Sequence, residues 1–151
     1  MERGSCRWVL VVLAVALIVP AATSSRAGGA YGSSFRCRWA WDLQAGLREG
    51  YVTAGNSANC GGRSGSLTLS ARLLRWDAKR KGWRTDKAQT RTWRDLRTNR
   101  YIEVAEPCRG ATVRAVFGWI LRDSGGAVVS RKSIRTASLK TPDRGCKQGI
   151  G

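Results

Sequence analysis

Two stretches of this chain interleave cations with aromatic rings: RLLRWDAKRKGWR over 72–84 and RTWRDLRTNRY over 91–101. Together they hold Arg72, Arg75, Trp76, Lys79, Arg80, Lys81, Trp83, Arg84, Arg91, Trp93 and Arg94, which form the candidate binding set. A guanidinium grips a phosphate or similar anion through paired N–H groups, and an indole stacks on a base or a sugar. If the two segments are adjacent strands, they build one cationic, aromatic-studded sheet face. The same residues also serve a structural purpose. Trp76 and Trp83 are spaced to pair across a hairpin, with Lys79, Arg80 and Lys81 at its tip, where water screens them.

Other chemistries find little support. The chain has no histidine, so Ser–His–Asp and Cys–His pairs and imidazole metal ligands are excluded. The acids are scattered singly, and no local spacing sets two carboxylates to face each other as glycoside hydrolysis requires. No stretch supplies the close-set oxygen ligands of a calcium loop, and no CxxC pair points to zinc. The Gly-rich NCGGRSG (59–65) reads as a loop rather than as a backbone nest for an anion. The expectation is a non-enzymatic protein without metal or cofactor.

The N-terminus follows the three-part plan of a secretory signal peptide. MERGSCR carries two arginines, WVLVVLAVALIVP is apolar, and small residues follow. The expected cut after Ala27 removes 1–27, with a cut after Ala22 as the alternative. The apolar run is shorter than the roughly 20 residues of a membrane span. Without 1–27 the formal charge falls from +17 to +15, because three arginines and one glutamate leave. So cationic a chain is drawn to polyanions. Four cysteines remain, and in a secreted chain an even number reads as disulfides. Sequence proximity favours Cys37–Cys60 and Cys108–Cys146, closing loops of about 24 and 39 residues.

Elements that would position these residues follow from period-two patterning. After a flexible lead-in over 28–34, FRCRWAWDL puts Phe35, Cys37, Trp39, Trp41 and Leu43 on one face of a strand. A weaker strand covers 50–56. Over 66–76, Leu67, Leu69, Ala71 and Leu73 alternate inward, while Leu74 and Trp76 take the outer parity, which suggests a bulge or a second covered face. Short strands are expected at 82–86, 89–96 and 100–106, the last ending at Pro107. In 111–122 the odd positions Val113 to Leu121 face inward, and 127–138 returns as the hairpin partner. The sum is an all-β antiparallel sandwich of immunoglobulin-like architecture over 35–146, with a short tail at 147–151; a small β-barrel is the alternative.

The expected function is a secreted module that binds anionic polymers or surfaces, such as cell-envelope polymers or nucleic acid, through the Arg- and Trp-rich face. A protein–protein interaction module is the next reading, because Val116, Gly118 and Ile120 lie on the outer parity of the most apolar strand. A cationic antimicrobial or toxin ranks below it, since no amphipathic helix is evident.

Overall fold

The computed structural model describes residues 26–33, 37–61, 65–143 and 146. They form β1 (Arg26–Ser33), β2 (Arg38–Arg48), β3 (Tyr51–Asn59), β4 (Ser66–Asp77), β5 (Gly82–Trp93), β6 (Arg100–Pro107), β7 (Thr112–Arg122), β8 (Val128–Arg135) and β9 (Leu139–Lys140), with no helix among the described residues. Every pairing is antiparallel. The first sheet runs β1-β2-β3-β6 and the second β5-β4-β7-β8, with β9 also on β7. No ladder joins the two sheets among the described residues, so they face each other as a sandwich-like fold instead of closing into a barrel. The chain crosses between sheets three times: from β3 to β4, β5 to β6, and β6 to β7.

The core sits where the inward parities meet. β4 contributes Leu67, Leu69, Ala71 and Leu73, and β7 contributes Val113, Ala115, Phe117, Trp119 and Leu121, all buried. From the first sheet come Trp39, Leu43, Val52, Ala54, Ile102 and Val104. Aromatic rings couple the layers: Trp39 meets Trp119, and Trp41 stacks on Phe117, both at 5.8 Å between centroids. Phe117 is fully buried, so truncating it to alanine would cost about 3–5 kcal/mol. One polar residue bridges the sheets. Asn56 of β3 is wholly buried, and its Nδ2 donates to the carbonyls of Ser70 (2.9 Å) and Gly118 (3.2 Å). Those two residues are themselves partners in the β4–β7 ladder, so one amide ties three strands together.

Both expected disulfides are present. Cys37–Cys60 clamps the open end of the β2–β3 pair, next to the Arg38–Asn59 register. Cys108–Cys146 ties the C-terminal segment to the end of β6. Backbone bonds reinforce that end: Cys108 N donates to Gly50 O, Gly50 N to Cys146 O, and Gly110 N to Pro142 O. Pro107 closes β6 and β7 opens at Thr112, so the inward placement of Cys108 is independent of the β7 pleat.

Two elements depart from the sequence reading. Residues 28–33, expected as a lead-in, form most of β1, the edge strand on β2. The two short strands expected at 82–86 and 89–96 are one continuous strand, β5, ending at Trp93. The expected signal peptide lies outside the described residues except for Arg26 and Ala27, which open β1, and the expected tail, 147–151, lies outside them entirely.

Candidate functional site

The β4–β5 hairpin carries most of the candidate residues. Trp76 and Trp83 are directly opposite in its register, and their rings meet edge to face, 5.5 Å between centroids at 66°, a favoured aromatic geometry. Asp77 shapes the turn, its Oδ1 accepting from Lys79 N at 3.0 Å and Arg80 N at 3.1 Å. Lys81 closes it at φ 50°, in the left-handed region that a non-glycine residue enters at a cost. Lys79, Arg80 and Lys81 are all exposed at the tip.

The register then divides the rest of the set. Opposed residues in a ladder share a face. Leu67 pairs with Trp93, Leu69 with Arg91, and Arg75 with Arg84, so these three cations and Trp93 lie on the inward parity of the second sheet. Because β5 is an edge strand, Arg84 and Arg91 still reach solvent. Arg91 lies over Trp93 at 5.4 Å, and Trp93 packs against the core. Arg75 is largely covered and ion-pairs with Asp86 through its Nε, while Arg84 Nη2 lies 3.6 Å from the other Asp86 oxygen. Asp86 is the extra residue at the register shift between Leu73 and Leu74, so the bulge aims a carboxylate at two arginines. Arg94 lies beyond β5, on the rim of an open cleft of about 510 Å³ formed with Gly65, Ser66 and the 123–126 turn. Of the original set, Arg72, Trp76 and Trp83 share the outward face.

That outward face holds more cations than the hairpin suggested. Following the β4–β7 and β7–β8 registers, Val116 lies between Arg72 and Arg135, Leu74 is opposite Arg114, Ile120 is opposite Arg131, and Ser66 is opposite Arg122. Arg72, Arg114, Arg122, Arg131 and Arg135 therefore project from one side of the sheet. Of the nine described acids, two, Asp77 and Asp86, lie on strands of this sheet, and neither takes one of the outward register positions. Between the arginines the surface is low: Ser70 and Ser133 flank Gly118, where a Cβ would come 2.5 Å from Ser70 Oγ. Val116 and Ile120 are half-buried there, among arginine side chains rather than in an open apolar patch.

Arg114 is the most constrained of the five. Its guanidinium carbon sits 4.0 Å from the centroid of Trp83, and its Nε is buried without a hydrogen-bond partner. Desolvation, and then the like charge of Arg135, hold its pKa below the usual arginine value. No ion pair to it occurs among the described residues. The outer face of the first sheet mixes the signs, with Arg38 on the same parity as Asp42. There Asp42 and Glu103 lie on either side of Gly55 in the register, and Tyr101 O–H donates to Glu103 Oε2 at 2.6 Å.

No group of three or more metal-ligating side chains gathers among the described residues. Gly62, Arg63 and Ser64 of the Gly-rich loop lie outside them. Arg114, Arg122, Arg131 and Arg135 were absent from the sequence-derived set. The outward parity of 114 and 122 in an alternating strand was a usable signal, but their neighbours across the sheet depend on strand order. No protein-family model matches the chain, and no curated protein matches it significantly.

Proposed function

We propose that the protein is a secreted, non-enzymatic module that binds anionic polymers or surfaces through the outer face of its second sheet. The observation that carries this reading is the clustering of charge: five arginines at outward positions of a sheet whose own strands place no acid at an outward register position. Ordinary solvation of a basic protein would mix the signs. The mechanism is multivalent electrostatics, with each neutralised phosphate or sulfate releasing counterions. Trp76, 40% exposed beside Trp83, offers a ring for stacking at one end. Arg75 drops out of the binding role because Asp86 already neutralises it. Arg84, Arg91, Trp93 and Arg94 belong to a separate edge.

The two disulfides are consistent with an oxidising compartment. Together with the signal-like N-terminus they support export. An immunoglobulin-like architecture is part of the same reading. With β2, β3, β4, β6, β7 and β8 taken as strands A, B, C, E, F and G, the sheets contain A-B-E and C-F-G neighbours, and β5 takes the place of C′ beside C. The disulfides do not follow the B–F bridge of antibody domains.

The test is retention on heparin and DNA columns. The mature protein should elute at salt well above that needed for a control protein of equal net charge spread evenly over its surface. Elution together with that control would contradict the reading.

A further inference from the structure

The six described tryptophans differ in what they leave open. Trp39 and Trp119 are buried, Trp41, Trp83 and Trp93 are half-buried, and Trp76 alone is exposed, at 40%. Its ring is nevertheless held in place. Trp83 is directly opposite in the β4–β5 register and meets it edge to face. Trp83 is itself pinned by the Arg114 guanidinium over its ring at 4.0 Å. Covered in this way, Trp83 is a support, and the free surface belongs to Trp76. We propose that Trp76 is a stacking platform for an unpaired base, and that the polyanion this protein takes is a single-stranded nucleic acid.

An exposed ring that is already oriented loses little freedom when a flat partner lies on it, and every base presents a π-face. Around the ring the protein offers donors. Lys79, Arg80 and Lys81 follow in the same turn, all exposed, and neither lysine has an ion pair among the described residues. Asp77, the acid next to Trp76, has Oδ1 taken by the backbone N–H groups of Lys79 and Arg80, and its Oδ2 lies 3.9 Å from Arg80 Nε. No carboxylate or amide side chain takes an outward register position on β4 or β5. The outward residues next to the ring are Leu74 along β4, Trp83 across from it and Thr85 beyond. Each hydroxyl of a sugar brings a donor that needs an acceptor, and of these residues only Thr85 has one in its side chain. A nucleotide asks for the reverse: its phosphate only accepts, and its base edges are rich in acceptors. A base on Trp76 brings its neighbouring phosphates toward the cations of the turn, the combination of stacking and charge that binds single strands with little sequence preference. In a duplex the base faces are stacked on one another, so the platform selects single strands.

This inference rests on the polyanion reading of the same face, and the experiment separates the two. Fluorescence anisotropy measures the affinity of the mature protein for three labelled ligands of matched charge, each over a range of salt. They are a short oligothymidine strand, a phosphodiester strand of the same length with abasic sugars, and a heparin fragment. Oligothymidine should bind about tenfold more tightly than the abasic strand. In Trp76→Ala that preference should vanish, while affinity for the abasic strand and for heparin stays unchanged, which also shows that the variant is folded. Trp76→Phe, which keeps a flat ring, should recover part of the preference. Equal binding of the two strands by the wild type, a preference that survives Trp76→Ala, or a Trp76→Ala loss that falls on heparin alone or equally on all three ligands would overturn the platform. Salt-steep binding of all three without a base preference would reject the platform and leave the polyanion reading standing. A Trp76-dependent preference on a background of salt-flat binding would uphold the platform and reject the electrostatic reading of the face.

Discussion

Trp83 holds Trp76 edge-on across the β4–β5 hairpin, 5.5 Å between ring centroids, and carries Arg114 of β7 on its face at 4.0 Å. One indole thus joins three strands on the outside of the sheet. Aromatic pairs contribute about 0.5–1.5 kcal/mol beyond burial, and a cation over a ring about 0.5–1 kcal/mol at an exposed site. Trp83→Ala should therefore destabilise the fold by about 1–2.5 kcal/mol. Trp76→Ala, which leaves the Arg114 contact intact, should cost about 1 kcal/mol. Chemical denaturation of the two variants measures the difference, and equal losses would show that Arg114 contributes nothing through Trp83.

Arg75 offers a contrasting case. It is a cation within the candidate stretch, yet its partner Asp86 is supplied by the bulge in β5 and both side chains are largely covered. Removing one member of a covered ion pair leaves the other charge without its partner. Asp86→Asn should cost about 1–3 kcal/mol in denaturation midpoint, while heparin retention stays the same or rises slightly.

Asp95 predicts an acid-dependent contribution. The backbone N–H of Arg97, then its side chain, donate to Asp95 Oδ1 at 3.1 and 3.2 Å and hold its pKa below 3.8. With the folded value depressed, the stabilisation is complete above the unfolded value and is lost as the pH falls through the folded one. Urea midpoints of Asp95→Asn and the wild type should differ at pH 7 and converge as the pH falls below the depressed carboxylate range, and a difference that grows on acidification would contradict this. The site is exposed, so the effect should be small and weaken with salt.

Much of the fold was legible because one face of most strands is buried. The run Leu67, Leu69, Ala71, Leu73 and the odd positions of 113–121 alternate without interruption, and they are the core. The outer parity of Leu74 and Trp76 suggested a bulge in that strand, but β4 alternates without a break and the extra residue, Asp86, lies in its partner β5. That same bulge hid the continuity of β5. Asp86 adds a residue, so Trp83 and Thr85 share a face with Ala88 and Thr90, and the broken alternation resembled two strands. β1 was not legible because its Gly-rich sequence carries no alternation; its pairing with β2 defines it. The candidate site was half legible. Composition pointed to arginine and tryptophan, but which of them share a face depends on the β4–β7–β8 order, which local sequence does not encode. Arg131 and Arg135 therefore entered the site only through the ladder to β7.

The central claim is that the outer face of the second sheet, and not total charge, binds polyanions. The most direct measurement is the slope of log affinity for a heparin or DNA oligomer against log salt, compared between two triple variants of equal charge. One is Arg72→Gln with Arg131→Gln and Arg135→Gln on the outer face. The other is Arg84→Gln with Arg91→Gln and Arg94→Gln along the opposite edge. With each phosphate contact worth about 0.9 in the slope on duplex DNA, the outer-face variant should lose about 2–3 units and the edge variant less than about one. Equal losses in the two variants would contradict the account.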